Sequence, residues 1–152
     1  MSEAVRRLSE SVVSGSLRSS QIYETKPVGP TGNNPFLNAV IEFQTDWTAD
    51  DLFRFMQTVE SDLGRRPPRS GPRTIDLDML FYDDLVQRTD FLKIPHPRLH
   101  ERDFVLRPLA DLDPELVHPI LNRSIRDLLD DIVGESCIIG VFAPEIPGPD
   151  EQ

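Results

Sequence analysis

Asp76-Leu77-Asp78 is the stretch of this chain whose residue types and spacing most directly suggest chemistry. On an extended strand a period of two places both carboxylates on one face and Ile75, Leu77 and Met79 on the other. Their Cβ atoms would then lie roughly 7 Å apart, close enough to repel and close enough to share one or two hard cations through oxygen ligands. An arbitrary D-x-D is more often the wet face of an amphipathic strand. Here, however, Asp is disfavoured in strands, and the pair follows Arg65, Arg66, Arg69 and Arg73, four of the sixteen Lys and Arg of the chain. A local arginine cluster beside paired acids is the pattern of a metal–phosphate site. Arg66 and Arg69 read equally well as solvated loop residues. Arg73 is set by Gly71-Pro72 just before the acidic strand, where its guanidinium fork could reach phosphate.

A second donor-rich stretch is Ile94-Pro95-His96-Pro97-Arg98-Leu99-His100-Glu101-Arg102-Asp103-Phe104. Its prolines stiffen a turn that leads into a helix. His96, bracketed by prolines, points toward a ligand role, whereas His100 reads as structural. The sequence has no G-x-x-x-x-G-K-[ST] loop, which excludes ordinary P-loop chemistry.

These residues need elements to hold them. Ala4, Val5, Leu8 and Val12 recur at helical spacing and predict a helix over residues 1–13, broken by Gly15. Strands are predicted over 17–24 and 36–44, joined by a Pro/Gly loop. Thr48 caps a helix that carries Leu52, Phe53, Met56, Val59 and Leu63 to Gly64. A strand over 74–82 follows, then helices over 101–110 and 124–132, then a strand over 137–142. Residues 1–142 read as one domain, and the proline- and acid-rich residues 143–152 as a disordered tail. This order predicts an α+β sandwich with helices covering a face of a mainly antiparallel sheet.

Composition limits the partners. With 152 residues and 38% hydrophobic content, the chain supports a single core. A net charge of -10 argues against general nucleic-acid binding. The one cysteine, Cys137, cannot staple the chain to itself, which fits a reducing cytoplasm. No basic-then-apolar leader opens the chain, and no apolar run approaches the ~20 residues of a membrane span.

The stretches Gly71-Pro72-Arg73-Thr74-Ile75-Asp76-Leu77-Asp78 and Pro95-His96 with Arg102-Asp103-Phe104-Val105-Leu106-Arg107-Pro108-Leu109 resemble the two signatures of the 6-hydroxymethyl-7,8-dihydropterin pyrophosphokinases. Tyr23-Glu24-Thr25-Lys26-Pro27 and Phe36-Leu37-Asn38-Ala39 match in order and spacing as well. The resemblance implies a ferredoxin-like α/β sandwich that transfers pyrophosphate from ATP to the hydroxymethyl group of the pterin and releases AMP, in folate biosynthesis. It implies two Mg2+ ions between Asp76 and Asp78, with Arg73 as a further catalytic group. Glu60, Arg65, Arg73, His96 and Arg102 would serve ATP. Asn38 would hydrogen-bond the pterin, Phe36 and Phe104 would sandwich its ring, and Thr25 and Val28 would line the pocket. A cytoplasmic monomer acting on small molecules is the corresponding expectation.

The sequence departs from the family in two places. The arginine loop is short, with Ser70 where a tryptophan is common. In addition, the family's first strand, which ends in a Gly-Ser-Asn turn, has no counterpart before the helix that begins at Met1. An upstream start, a decayed homologue that only binds pterin or nucleotide, and a substitute strand from residues 137–142 are the competing accounts, of which the first is favoured.

Overall fold

The computed structural model describes residues 2–26, 36–64, 75–134 and 136–146. Helix α1 (Ser2–Leu8) buries Ala4, Val5 and Leu8. It is shorter than its periodicity predicts because Ser9 and Ser11 turn their hydroxyls back onto the carbonyls of Arg6 and Leu8, tightening the chain into a 3-10 turn over Ser9–Ser11. Gly15 then takes φ +79°, the left-handed conformation that glycine adopts without a steric penalty.

The strand predicted over 17–24 forms as β1 (Arg18–Ser19) and β2 (Ile22–Thr25), and its partner over 36–44 as β3 (Phe36–Asn38) and β4 (Ile41–Glu42). Both interruptions have one cause. Ser20 donates its N–H to the Val40 carbonyl, but its hydroxyl, not its backbone carbonyl, receives the Val40 N–H, so a side chain replaces one rung of the ladder. Pairing is antiparallel on either side, Arg18 opposite Glu42 and Tyr23 opposite Asn38. Strand β7 (Ile138–Ala143) adds to the free edge of β2.

Helix α2 (Ala49–Gly64) forms as predicted. Thr48 caps it by accepting the Asp51 N–H at 3.2 Å. Leu52, Met56, Val59 and Leu63 form its buried stripe, each worth about 1.5–3 kcal/mol in burial, with Val59 fully excluded from water. Together with Ala4, Leu8, Met79, Leu92 and Ile94 they make a core onto which Ile41, Phe43, Ile75 and Leu77 pack.

Val40 and Leu80, of opposite parity, pack instead into a second core made by Leu99, helix α3 (Asp103–Leu112) and helix α4 (Ile125–Asp130). The sheet therefore has α1 and α2 on one face and α3 against part of the other, an arrangement the element order alone does not reveal. The architecture is the α+β, ferredoxin-like type with antiparallel strands.

Two strand expectations need correction. Residues 75–82 keep the strand's alternation, with Asp76 and Asp78 exposed and Met79 buried, but they belong to no ladder. Among the described residues β3 and β4 form ladders only with β2 and β1, and residues 75–82 meet them through the cores, Ile75 and Leu77 sharing one with Ile41 and Leu80 another with Val40. Strand β7 does not act as a substitute strand beside β3 or β4: it is an edge strand paired to β2 alone, and Ile139 and Val141 are each more than half exposed. Residues 143–146, expected to belong to a disordered tail, pack against the domain, and residues 147–152 lie outside the described residues. Ala143 ends β7, and Ile146 is buried with Val5 and Ile22, its N–H bonded to the Ser19 hydroxyl at 3.0 Å. A short hairpin of β5 (Gln87–Arg88) and β6 (Lys93–Ile94) was not foreseen.

Candidate active site

Parity on the strands decides which residues meet. Asp76, Asp78 and Leu80 share a face, and Leu80 packs into the core built by α3 and α4. The two carboxylates, both exposed, therefore lie on the α3 side of the sheet. The segment is held from the opposite side by Glu60 on α2, whose carboxylate accepts the Leu77 N–H at 2.7 Å. Glu60 thus sits one residue from both acids, on the backbone between them.

His96 is tied to the same segment, donating its N–H to the Leu80 carbonyl at 3.0 Å. Burial lowers its pKa, the Asp78 charge opposes that shift, and Arg102 and Arg98 reinforce it. The Arg98 N–H points at its Nδ1 at 3.3 Å, which assigns the acceptor role to Nδ1 and leaves Nε2 to carry the proton of the neutral ring. Arg102 occupies the N-cap position of α3, with its guanidinium carbon 5.8 Å from the centre of the Phe104 ring.

Thr25, Phe36 and Asn38 lie on the paired strands β2 and β3. Thr25 is buried, accepts the Asn38 Nδ2–H at 2.7 Å and donates toward the Phe36 carbonyl at 3.4 Å. This fixes the Asn38 amide with its Oδ1 turned away from that bond. Phe36 is 42% exposed, unusual for a ring that size, and Phe104 is half-buried at the start of α3. Tyr23, on the same strand as Thr25, donates to Asp111 of α3 at 2.6 Å, and burial together with that bond raises its pKa strongly. This brace between β2 and α3 was not evident in the sequence, because Asp111 lies outside the matching stretches and the two residues are 88 positions apart.

Asp78, His96 and Arg102 are thus brought together, with Asp76 on the same face of its segment as Asp78, as are Thr25, Phe36 and Asn38 on the paired strands. Val28, Arg65 and Arg73 fall outside the described residues. Among the described residues no cluster of three or more His, Cys, Asp or Glu could hold a metal by itself. The two aspartates offer oxygen atoms only, a donor set that would suit a hard cation completed by other oxygen ligands.

The described part of the site is an α+β domain that presents two exposed acids on the α3 side, a histidine and an arginine close by, and an exposed aromatic ring on β3. Comparison with known proteins gives this domain a family. The profile of 7,8-dihydro-6-hydroxymethylpterin-pyrophosphokinase (HPPK) matches residues 1–114. A 2-amino-4-hydroxy-6-hydroxymethyldihydropteridine pyrophosphokinase of Aquifex aeolicus is 38% identical over 71% of this chain and 68% of its own. The corresponding Bacillus subtilis protein is 46% identical over 61% of this chain and 56% of its own. The folic acid synthesis protein fol1 of Schizosaccharomyces pombe is 42% identical over 73% of this chain, a match that spans only 15% of the fol1 sequence. The chain belongs to the 7,8-dihydro-6-hydroxymethylpterin-pyrophosphokinase family.

Proposed function

We propose that the protein transfers the pyrophosphoryl group of ATP to the hydroxymethyl oxygen of 6-hydroxymethyl-7,8-dihydropterin, releasing AMP. The observation that carries this reading is the position of Asp76 and Asp78 on the same side of the sheet as α3, with His96 sensing both Asp78 and Arg102. Transfer of this kind asks the protein for alignment and charge neutralisation more than for covalent chemistry. Asp76 and Asp78 would hold Mg2+, which when bound neutralises phosphate charge and orients the transferring group. His96, through Nε2–H, and Arg102 would donate to phosphate oxygens. Phe36 and Phe104 would stack on the pterin, and the Asn38 amide, fixed by Thr25, would read the polar edge of the ring. By the family resemblance Arg65 and Arg73 would serve as phosphate ligands and Val28 as a further pterin contact, all three lying outside the described residues. Glu60, expected to serve ATP, would instead support the acids from behind through the Leu77 N–H.

The test is AMP formation from ATP, Mg2+ and the pterin, compared with the Asp76→Asn variant. Pterin-dependent AMP that the substitution abolishes supports the reading. Binding of both ligands without AMP formation would make the chain a binding protein.

A further inference from the structure

The segment that follows the family-matched region closes onto the start of α3. The Asp103 carboxylate accepts two bonds through one oxygen, from the Ser136 hydroxyl at 2.5 Å and the Cys137 N–H at 3.1 Å. The carbonyl of Cys137 in turn accepts the Lys26 N–H at 2.8 Å. Residues 136 and 137 lie beyond position 114, where the family match ends.

This chain of bonds joins the two elements that carry Phe36 and Phe104, β3 through β2 and the start of α3. Asp103 directly precedes Phe104. Lys26 directly follows Thr25, which pairs with Phe36 across the β2–β3 ladder and with Ile138 across the β2–β7 ladder. An acid in the first turn of a helix would ordinarily face that helix's own free N–H groups, but Asp103 is committed to another segment and no side chain caps α3. We propose, resting on the pterin reading of this site, that Asp103 is a positioning residue: by clamping Ser136 and Cys137 to the end of β2 it fixes the separation of Phe36 and Phe104 and so preorganises the slot for a flat heterocycle.

The clamp bears directly on the elements that carry Phe36 and Phe104, and on the ATP side it adjoins only Arg102, the residue before Asp103. His96 and the Asp76–Asp78 segment are fixed by Leu80 and Glu60, neither of which depends on residues 136–143. Loosening the clamp therefore weakens the heterocycle selectively. The acceptor geometry, not the charge, is what the two donors require, so an amide oxygen at position 103 substitutes for the carboxylate.

The experiment uses the full chain, Asp103→Ala and Asp103→Asn. Dissociation constants for 6-hydroxymethyl-7,8-dihydropterin and for ATP are measured separately, and the rate at which an aromatic disulfide reagent labels Cys137, the one thiol, is followed in parallel. For Asp103→Ala the expected result is about tenfold weaker pterin binding, an ATP constant unchanged within twofold and faster labelling of Cys137, with Asp103→Asn close to the unsubstituted chain in all three. Equal weakening of both ligands, unchanged pterin binding despite faster labelling, or unchanged labelling would each overturn the positioning role. If the unsubstituted chain binds no pterin, the functional reading fails along with this proposal. That outcome is distinct from the one in which the unsubstituted chain binds and the alanine variant binds equally well.

Discussion

The carboxylate of Glu60, on α2, accepts the backbone N–H of Leu77, so the acid of one element holds the backbone midway between the two acids of another. Three carboxylates within three residues of backbone would repel if all faced one way. They do not, because Leu77 points toward α2 while Asp76 and Asp78 point away from it. Glu60→Ala removes a charge-assisted acceptor and leaves a half-buried N–H unpaired, at a cost of about 1.5–3 kcal/mol in stability. Thermal unfolding should show it directly, and Glu60→Gln, which keeps an acceptor oxygen, should recover more than half the loss.

Asp76→Asn and Asp78→Asn keep the size and exposure of the side chains and remove the charge. Both variants are expected to unfold at temperatures close to the unsubstituted chain, because each carboxylate is exposed. AMP formation should fall by on the order of 10²-fold or more in each. A parallel titration with Mg2+ should show its half-saturating concentration rising in both.

Burial lowers the pKa of both His96 and His118 from the ordinary 6.5. The unfolded chain then binds more protons than the folded one just below that pH, so stability rises with pH through this window and is lost as pH falls from about 6.5 toward the folded pKa values. Unfolding midpoints measured between pH 7.5 and 5 should decline accordingly. His118→Gln should flatten part of that decline and cost stability at pH 7.5, because the Nδ1 of His118 accepts the N–H groups of Ile120 and Leu121, each at 3.1 Å.

Thr25→Val replaces the buried hydroxyl with a methyl group of similar size. The Asn38 Nδ2 loses its acceptor, and the amide is free to turn. Pterin affinity is expected to weaken about fivefold, equivalent to about 1 kcal/mol, with ATP affinity unchanged. Separate calorimetric titrations of the two ligands would check this.

Tyr23→Phe deletes the bond from β2 to Asp111 of α3 while keeping the buried ring. Because the acceptor is a carboxylate, the loss should approach 1.5 kcal/mol. Urea unfolding is expected to show a lower midpoint with an unchanged slope.

The local elements were largely legible. The Leu52–Met56–Val59–Leu63 stripe and the Thr48 cap defined α2, because helix formation there depends on contacts three and four residues apart that sequence spacing records. The alternation of Ile75, Leu77 and Met79 against Asp76 and Asp78 gave the correct faces for a segment that joins no ladder. Side-chain parity follows from extended backbone alone, whereas a ladder needs a neighbouring strand, and spacing within one segment says nothing about its neighbour.

What the sequence by itself determined is therefore the chemistry available and the face on which each group stands: paired acids, a histidine held between prolines, an arginine at a helix start, and aromatic residues on a strand edge. The tertiary structure decided which of these meet. It placed α3 on the face that carries Asp76 and Asp78, set Glu60 behind them, and closed residues 136–143 onto Asp103 and β2. Those contacts join residues 17 to more than 100 positions apart. They arise from burying two cores on opposite faces of one sheet, a constraint on the whole chain that no local pattern encodes.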